Sequence, residues 1–237
     1  MNYLYAHRGI HDNSKNNVEN TIDAFNRAIV LNYGIECDVR LTKDNIPVII
    51  HDKNLLRVTG VNKEINEITF VELKKIKLLN SEEYISSLSE VLSIVNDKVP
   101  LIIEIKKNSI SKMNDLFYIV EILDKYNGKF MIESFNPIVL RWIKENRPLY
   151  IRGQLSSSLI RGKEYSIIDF LLSNLLLNFL SKPDFIAYDF RFKKNLSFLI
   201  NKYLYKIYCI GFTIKSEETF NNNINFFDSI IFDSFIP

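Results

Sequence analysis

The feature that most constrains this chain is its alternation. Short apolar runs with strand character recur at 4–6, 35–38, 47–50, 101–106, 130–135, 150–155, 185–189, 207–213 and 229–233. Between most of them lie stretches with helical character, at 19–32, 69–79, 88–95, 112–126, 138–146, 167–180, 195–204 and 216–226. In 19–32, for example, Ile22, Phe25, Ala28 and Ile29 recur at helical spacing. Alternation of this kind implies a parallel sheet. Nine runs are one too many for an eight-stranded barrel, and the connection over 42–47 is far too short for a helical crossover, which needs about a dozen residues. The run 47–50 is therefore the return limb of a hairpin. The fold expected is α/β: a single (β/α)8 TIM barrel over residues 1–237, with a β-hairpin extension and loop and helix insertions at the C-terminal rim. The 237 residues suit a barrel of about 250, and a hydrophobic fraction of 47% can fill its core.

Several function classes fall away. The formal net charge is +2, and the lysines form only short clusters such as Lys74-Lys75 and Lys106-Lys107; neither points to a nucleic acid partner. Cys37 and Cys209 both sit in apolar runs, as buried free thiols in a reducing compartment would. The first strand is entered at once, leaving no room for a signal peptide, and no run reaches the roughly 18 apolar residues of a membrane span. A cytoplasmic location is the expectation.

The chemistry concentrates between Glu36 and Asp52. Glu36 and Asp38 flank Cys37, so on a strand both carboxylates leave from one face. Lys43-Asp44-Asn45 is a turn signal, and a hairpin folded there brings His51-Asp52 back alongside 36–38. Polar residues recur at other strand ends: His7-Arg8, Glu104 with Lys106, and Glu133-Ser134. In a parallel barrel such ends share one rim, where loops build the active site. Glu36, Asp38 and Glu104 are oxygen donors suited to a hard cation, Mg²⁺ or Ca²⁺. The bland alternative is a buried charge network with Arg8 and Lys106; three acids against two bases leave one acid uncompensated and favour a cation. Arg8 and Lys106 suit a phosphate. Two imidazoles, His7 and His51, complete what a metal-assisted phosphodiester cleavage requires. His11, in a polar loop, is at most a minor participant.

With these residues in view, the sequence resembles the glycerophosphodiester phosphodiesterase family. The pattern appears as Ala6-His7-Arg8-Gly9, Glu19-Asn20-Thr21, then Glu36-x-Asp38-Val39-x-Leu41-Thr42-x-Asp44-x-x-Pro47-Val48-x-x-His51-Asp52. It continues through Leu55-x-Arg57-x-Thr59-Gly60, Leu88-Ser-Glu90-Val91-Leu92, Ile103-Glu104-Ile105-Lys106, Ser134-Phe135 and the closing Ile230–Pro237. The resemblance implies a TIM barrel that hydrolyses glycerophosphodiesters to glycerol 3-phosphate and an alcohol with a divalent cation. It implies His7 and His51 as acid and base, Glu36, Asp38 and Glu104 as metal ligands, and Arg8 and Lys106 as phosphate contacts. In the family reaction the neighbouring glycerol hydroxyl attacks phosphorus, and water opens the resulting cyclic phosphate. Two departures concern substrate shape rather than chemistry. Phe212-Thr213 stands where the family usually has Trp-Thr, leaving Phe212 as the aromatic substrate wall, and Lys215 occupies the neighbourhood of a common Asn.

Within 155–181, Asp169, Ser173, Asn174, Asn178 and Ser181 fall on one half of a helical wheel and aliphatics with two phenylalanines on the other. The ordinary fate of such a stripe is an outer helix packed on the barrel. The sharper expectation is a lid or interfacial element giving transient membrane-surface contact near a lysophospholipid substrate. The competing functional readings are a lysophospholipase D-type phosphodiesterase and a catalytically retired phosphodiester- or lipid-binding barrel.

Overall fold

In this computed structural model, residues 3–12, 17–107, 111–158 and 166–237 are described. The chain divides into two compact units, Tyr5–Phe130 and Met131–Pro237 together with Met1–Leu4.

The Tyr5–Phe130 unit is organised by β2 (Gly34–Leu41). On one side β1 (Leu4–His7) pairs parallel to it, with His7 opposite Glu36. β3 (Pro47–Ile49) is antiparallel to β2, pairing Val39 with Ile49, so the 42–47 connection is a hairpin as its length requires. β4 (Leu101–Ile105) is parallel on the other side, with Asp38 opposite Glu104. β2 and β4 are buried almost throughout, which explains their near-continuous apolar runs.

Helix boundaries follow capping chemistry. The first helix spans Ile22–Val30 rather than beginning at 19, because Thr21 Oγ1 accepts from Ala24 N and Asn20 is left-handed, φ 57°. Glu19 and Asn20 are thereby left in the loop. The helix Leu88–Val95 opens on a capping box of Ser87 and Glu90 and buries Leu88, Val91, Leu92 and Val95.

Between β3 and that helix the chain makes an excursion of short elements. The helix expected over 69–79 is only Phe70–Leu73, capped by Thr69 and Glu72, and it is preceded by a helix at Leu56–Thr59 and a 3₁₀ turn at Ile65–Glu67. Such short elements hold together by side-chain packing. Leu55, Val58, Ile65, Ile68, Leu73, Leu78 and Ile85 form a core of their own on Val48 and Ile50.

The second unit carries β5 (Phe130–Ser134), β6 (Arg152–Ser156), β7 (Phe185–Asp189), β8 (Tyr208–Ile214) and β9 (Ser229–Phe232), each parallel to the next. Helices at Pro137–Asn146, Ile167–Ser173, Asn178–Ser181, Leu196–Leu199 and Glu217–Asn221 lie between these strands in sequence. Eight parallel strands with interleaved helices, and β3 as a hairpin limb, are the (β/α)8 TIM barrel that the alternation implied.

The amphipathic stretch departs from expectation. Arg161, Lys163 and Tyr165, in its first half, lie outside the described residues. The helix expected over 167–180 is two short helices broken at Leu175, whose φ is 56°. The faces are also inverted. Ser173 and Ser181 are buried, while Ile167 and Phe179 are 70% and 68% exposed. Small serines let the helical backbone sit against the strands: Tyr188 donates to Ser173 O, and Ser156 Oγ donates to Leu172 O. Among the described residues, no helix is long and apolar enough to cross a membrane.

The core of the excursion makes a testable statement. Leu55 is fully buried, so Leu55→Ala should cost about 3 kcal/mol in urea unfolding. A cost under about 1 kcal/mol would mean that this segment has no core of its own.

Candidate active site

Of the residues singled out as site candidates, His7, Arg8, Glu36, Asp38, His51, Glu104 and Lys106 gather at the C-terminal ends of β1, β2 and β4 and the end of the β2–β3 hairpin. The register does most of this work. His7 faces across to Glu36, and Asp38 to Glu104, because adjacent parallel strands carry them at paired positions. Alternation puts Glu36 and Asp38 on one face of β2. The hairpin adds the remaining group: Ile50 N donates to Asp38 O, so His51 emerges beside the carboxylates.

Glu36, Asp38 and Glu104 are all buried, and each offers an oxygen within 4.8 Å of the others. Arg8 Nε lies 3.2 Å from Asp38 Oδ2, and Lys106 Nζ lies 3.1 Å from Asp38 Oδ1 and 2.7 Å from Glu104 Oε2. Asn20 Nδ2 donates to Asp38 Oδ2 at 2.9 Å. Asp38 Oδ1, although close to Lys106, accepts no well-aligned hydrogen bond. A buried carboxylate oxygen short of donors, among three converging carboxylates, fits a hard divalent cation.

Electrostatics separate Asp38 from Glu104. Burial alone would raise Asp38, but Lys106 and Arg8, helped by both imidazoles, hold it well below the usual carboxylate range. Glu104 goes the other way. Burial pushes it up to about 7, with Asp38 adding to the rise and Lys106 opposing it. Burial leads that rise, and the excess of carboxylates over nearby cations works in the same direction. A bound cation would oppose it.

A second layer holds the first. Asp52 Oδ1 is 2.7 Å from His51 Nδ1, and a carboxylate oxygen can only accept, so Nδ1–H is donated to Asp52; burial pulls the imidazole below its ordinary value. Arg57 Nε donates to the other oxygen of Asp52 at 2.5 Å. Arg57 also donates to Glu19 Oε1 at 2.7 Å, the same oxygen that Arg8 reaches at 2.7 Å. Arg40 anchors the hairpin end, donating to His51 O and Lys106 O. These residues went unassigned from the sequence, although Glu19-Asn20 and Arg57 stand within the family pattern. Their legible signal was charge placed in loops beside the motif residues.

Gly9 explains how His7 and Arg8 turn off their strand. Its φ is 78°, and a Cβ there would lie 2.8 Å from the Ala24 carbonyl carbon, so only glycine fits. Arg8 itself is left-handed, φ 56°, and its N–H donates to Glu36 Oε2. His7 Nε2 is 3.9 Å from the same oxygen, beyond hydrogen-bond reach. His11 Nδ1 lies 3.2 Å from Gly9 O, a loop contact. In the second unit, Phe212 on β8 meets Phe135 edge-on at 6.3 Å and lines a hollow of about 320 Å³ with Asp189, Arg191 and Lys215.

The chain belongs to the glycerophosphoryl diester phosphodiesterase family, whose model matches residues 7–232. It is 37% identical over 155 residues to a glycerophosphodiester phosphodiesterase of Caldanaerobacter subterraneus, covering 61% of this chain and 63% of that protein. A human lysophospholipase D is 29% identical over 176 residues, covering 71% of this chain and half of that protein. The chain thus spans less than two thirds of the curated relatives it matches. Among solved structures, a phosphodiesterase of Oleispira antarctica in complex with the product sn-glycerol-3-phosphate superposes with a TM-score of 0.78 at 22% identity, covering 97% of this chain and 92% of that one. The Thermotoga maritima glycerophosphodiester phosphodiesterase does so at 0.72 and 25% identity, covering 98% and 95%.

Because Glu104 must lose its proton to act as a ligand, cation binding should release a proton near neutral pH. Below pH 7 the affinity should fall by up to about tenfold per unit. Calorimetry of Mg²⁺ or Ca²⁺ binding in buffers of different ionisation enthalpy reads this directly; proton-independent affinity between pH 6 and pH 8 would contradict it.

Proposed function

We infer that the protein hydrolyses glycerophosphodiesters to glycerol 3-phosphate and an alcohol with a divalent cation, Mg²⁺ or Ca²⁺. One observation carries this reading. Within Tyr5–Phe130, three buried carboxylates, Arg8 and Lys106, and an imidazole oriented by Asp52 occupy one set of strand ends.

Glu36, Asp38 and Glu104 would hold the cation, which when bound supplies charge neutralisation at the phosphoryl oxygens. Arg8 and Lys106 bind and orient the phosphate, Arg8 by its fork and Lys106 as a point charge. The glycerol hydroxyl next to the ester attacks phosphorus; a P–O bond to that oxygen forms as the bond to the departing alcohol breaks. One imidazole removes the hydroxyl proton and the other protonates the departing oxygen, and water then opens the cyclic phosphate with the roles exchanged. His7 and His51 are the pair proposed. Asp52 holds the ring of His51 through Nδ1 at 2.7 Å, which leaves Nε2 as its working nitrogen.

The experiment is release of glycerol 3-phosphate from glycerophosphocholine and glycerophosphoglycerol, with cation and with chelator, for wild type and His51→Ala. Release should require both cation and His51, with a loss of about 10²–10⁴-fold on removing the imidazole. Cation-independent release, or full activity of His51→Ala, would refute the mechanism. No release, with the cation still bound, would favour a retired binding barrel.

A lysophospholipase D-type activity is the second reading, favoured by one feature of the second unit. Ile167, Ile168, Phe170, Leu176 and Phe179 expose apolar surface that a lipid interface would cover. Leu172→Gln with Leu176→Gln should then reduce hydrolysis of aggregated lysophospholipid several-fold while sparing a water-soluble diester. A parallel fall of both activities with stability would instead mark these leucines as packing residues.

A further inference from the structure

Beside His51 the surface is hollowed by a cavity of about 510 Å³ lined by Arg40, His51, Asp52, Lys53, Arg57 and Asn62, with Asn54 and Leu56. All of these residues come from the end of β2 and the loops after β3. The volume suits a small organic group. Apart from His51, no residue in the set has been assigned a part in the reaction.

Its chemistry is one-sided. Arg40, Lys53 and Arg57 contribute three cations against the single carboxylate of Asp52. Arg40 donates to two main-chain carbonyls rather than to an acid. Glu64, which pairs with Lys53 at 2.7 Å, is not part of the lining. Glu19, which pairs with Arg57, is shared with Arg8. Asn54 and Asn62, joined by a 2.9 Å hydrogen bond, add neutral polar groups. The lining contains no aromatic ring besides the imidazole, so a quaternary ammonium would find neither an aromatic cage nor an excess of carboxylates here.

The hollow also stands where the alcohol half of a diester needs room. The group expelled from phosphorus must lie near an imidazole that can protonate it. Of the two, His51 is the more open, 35% exposed against 18% for His7, and it forms one wall of this cavity. The glycerol half needs little space, since its attacking oxygen is tied to phosphorus by a short ring.

We propose that the hollow beside His51 receives the alcohol half of the substrate, and that Arg40, Lys53 and Arg57 select alcohols bearing an anionic group over choline. The proposal rests on the phosphodiesterase reading and names the substrate class within it.

A charge series tests it: the glycerophosphodiesters of inositol 4-phosphate, glycerol and choline, whose alcohols are anionic, neutral and cationic. At low ionic strength kcat/KM for the anionic diester should exceed that for the choline diester by about tenfold, with glycerol between, and added salt should compress the series. Lys53→Glu and, separately, Asn62→Asp should each lower the anionic-to-choline ratio several-fold; both side chains are exposed, so the fold should tolerate the changes. A wild-type enzyme that favours choline, or a ratio unmoved in both variants, overturns the proposal. Calorimetry with free inositol 4-phosphate and with choline separates the two readings. If no diester is hydrolysed but inositol 4-phosphate binds and Lys53→Glu weakens it several-fold, the hydrolase reading fails and the subsite stands. If diesters are cleaved with no charge preference, and Lys53→Glu leaves inositol 4-phosphate binding unchanged, the subsite fails and the hydrolase reading stands.

Discussion

The contact on which the rest of the site depends is the grip of Arg8 and Lys106 on Asp38. A carboxylate with 1% exposure cannot stay ionised unless the energy lost on leaving water is offset by charge close at hand. Here the offset comes from two cations on different strand ends, plus a hydrogen bond from Asn20. Those contacts tie β1, β2 and β4 together at their polar ends, where parallel strands have only loops to hold them. Lys106 is shared with Glu104, which it reaches at 2.7 Å, and burial raises that carboxyl in spite of the contact.

Around that grip the chain builds outward by sharing partners. Glu19 touches Arg8 and Arg57, Arg57 touches Asp52, and Asp52 orients His51. The loops that supply these groups are fixed by ordinary means: the capped start of the helix at Ile22, the left-handed Asn20, and the small apolar core under the 53–87 excursion. Leu55 and Val58 thus bear on the site at a distance, because they anchor the segment that carries Arg57.

Much of this could be read before folding was considered. The hairpin was legible because so short a connection forbids a crossover, and Glu36 and Asp38 were legible as neighbours because side chains alternate on a strand. The distal helices were less legible. Periodicity over 167–180 promised one helix with a polar outer face, yet the chain breaks at Leu175 and turns its serines inward. A helical wheel assumes one axis, and a left-handed residue ends it. It also assumes that small polar residues prefer water, whereas Ser173 and Ser181 are buried here, small enough for the backbone of Ser173 to meet Tyr188 and for the Ser181 hydroxyl to meet Gln154. The helix expected over 69–79 shortened for a related reason, since its residues had a local core to fill.

By itself, then, the sequence determined the alternation, the hairpin, and which polar groups from His7 to Lys106 stand at the strand ends, because these follow from local periodicity and from residue type. Tertiary structure alone decided how the charges are shared. Whether Lys106 serves Asp38 or Glu104, whether Glu19 joins two arginines, and which acid keeps a proton depend on distances across strands and on burial. Neither quantity is written in spacing along the chain. Electrostatic energy depends on separation and surroundings in space, and only the packed fold sets those.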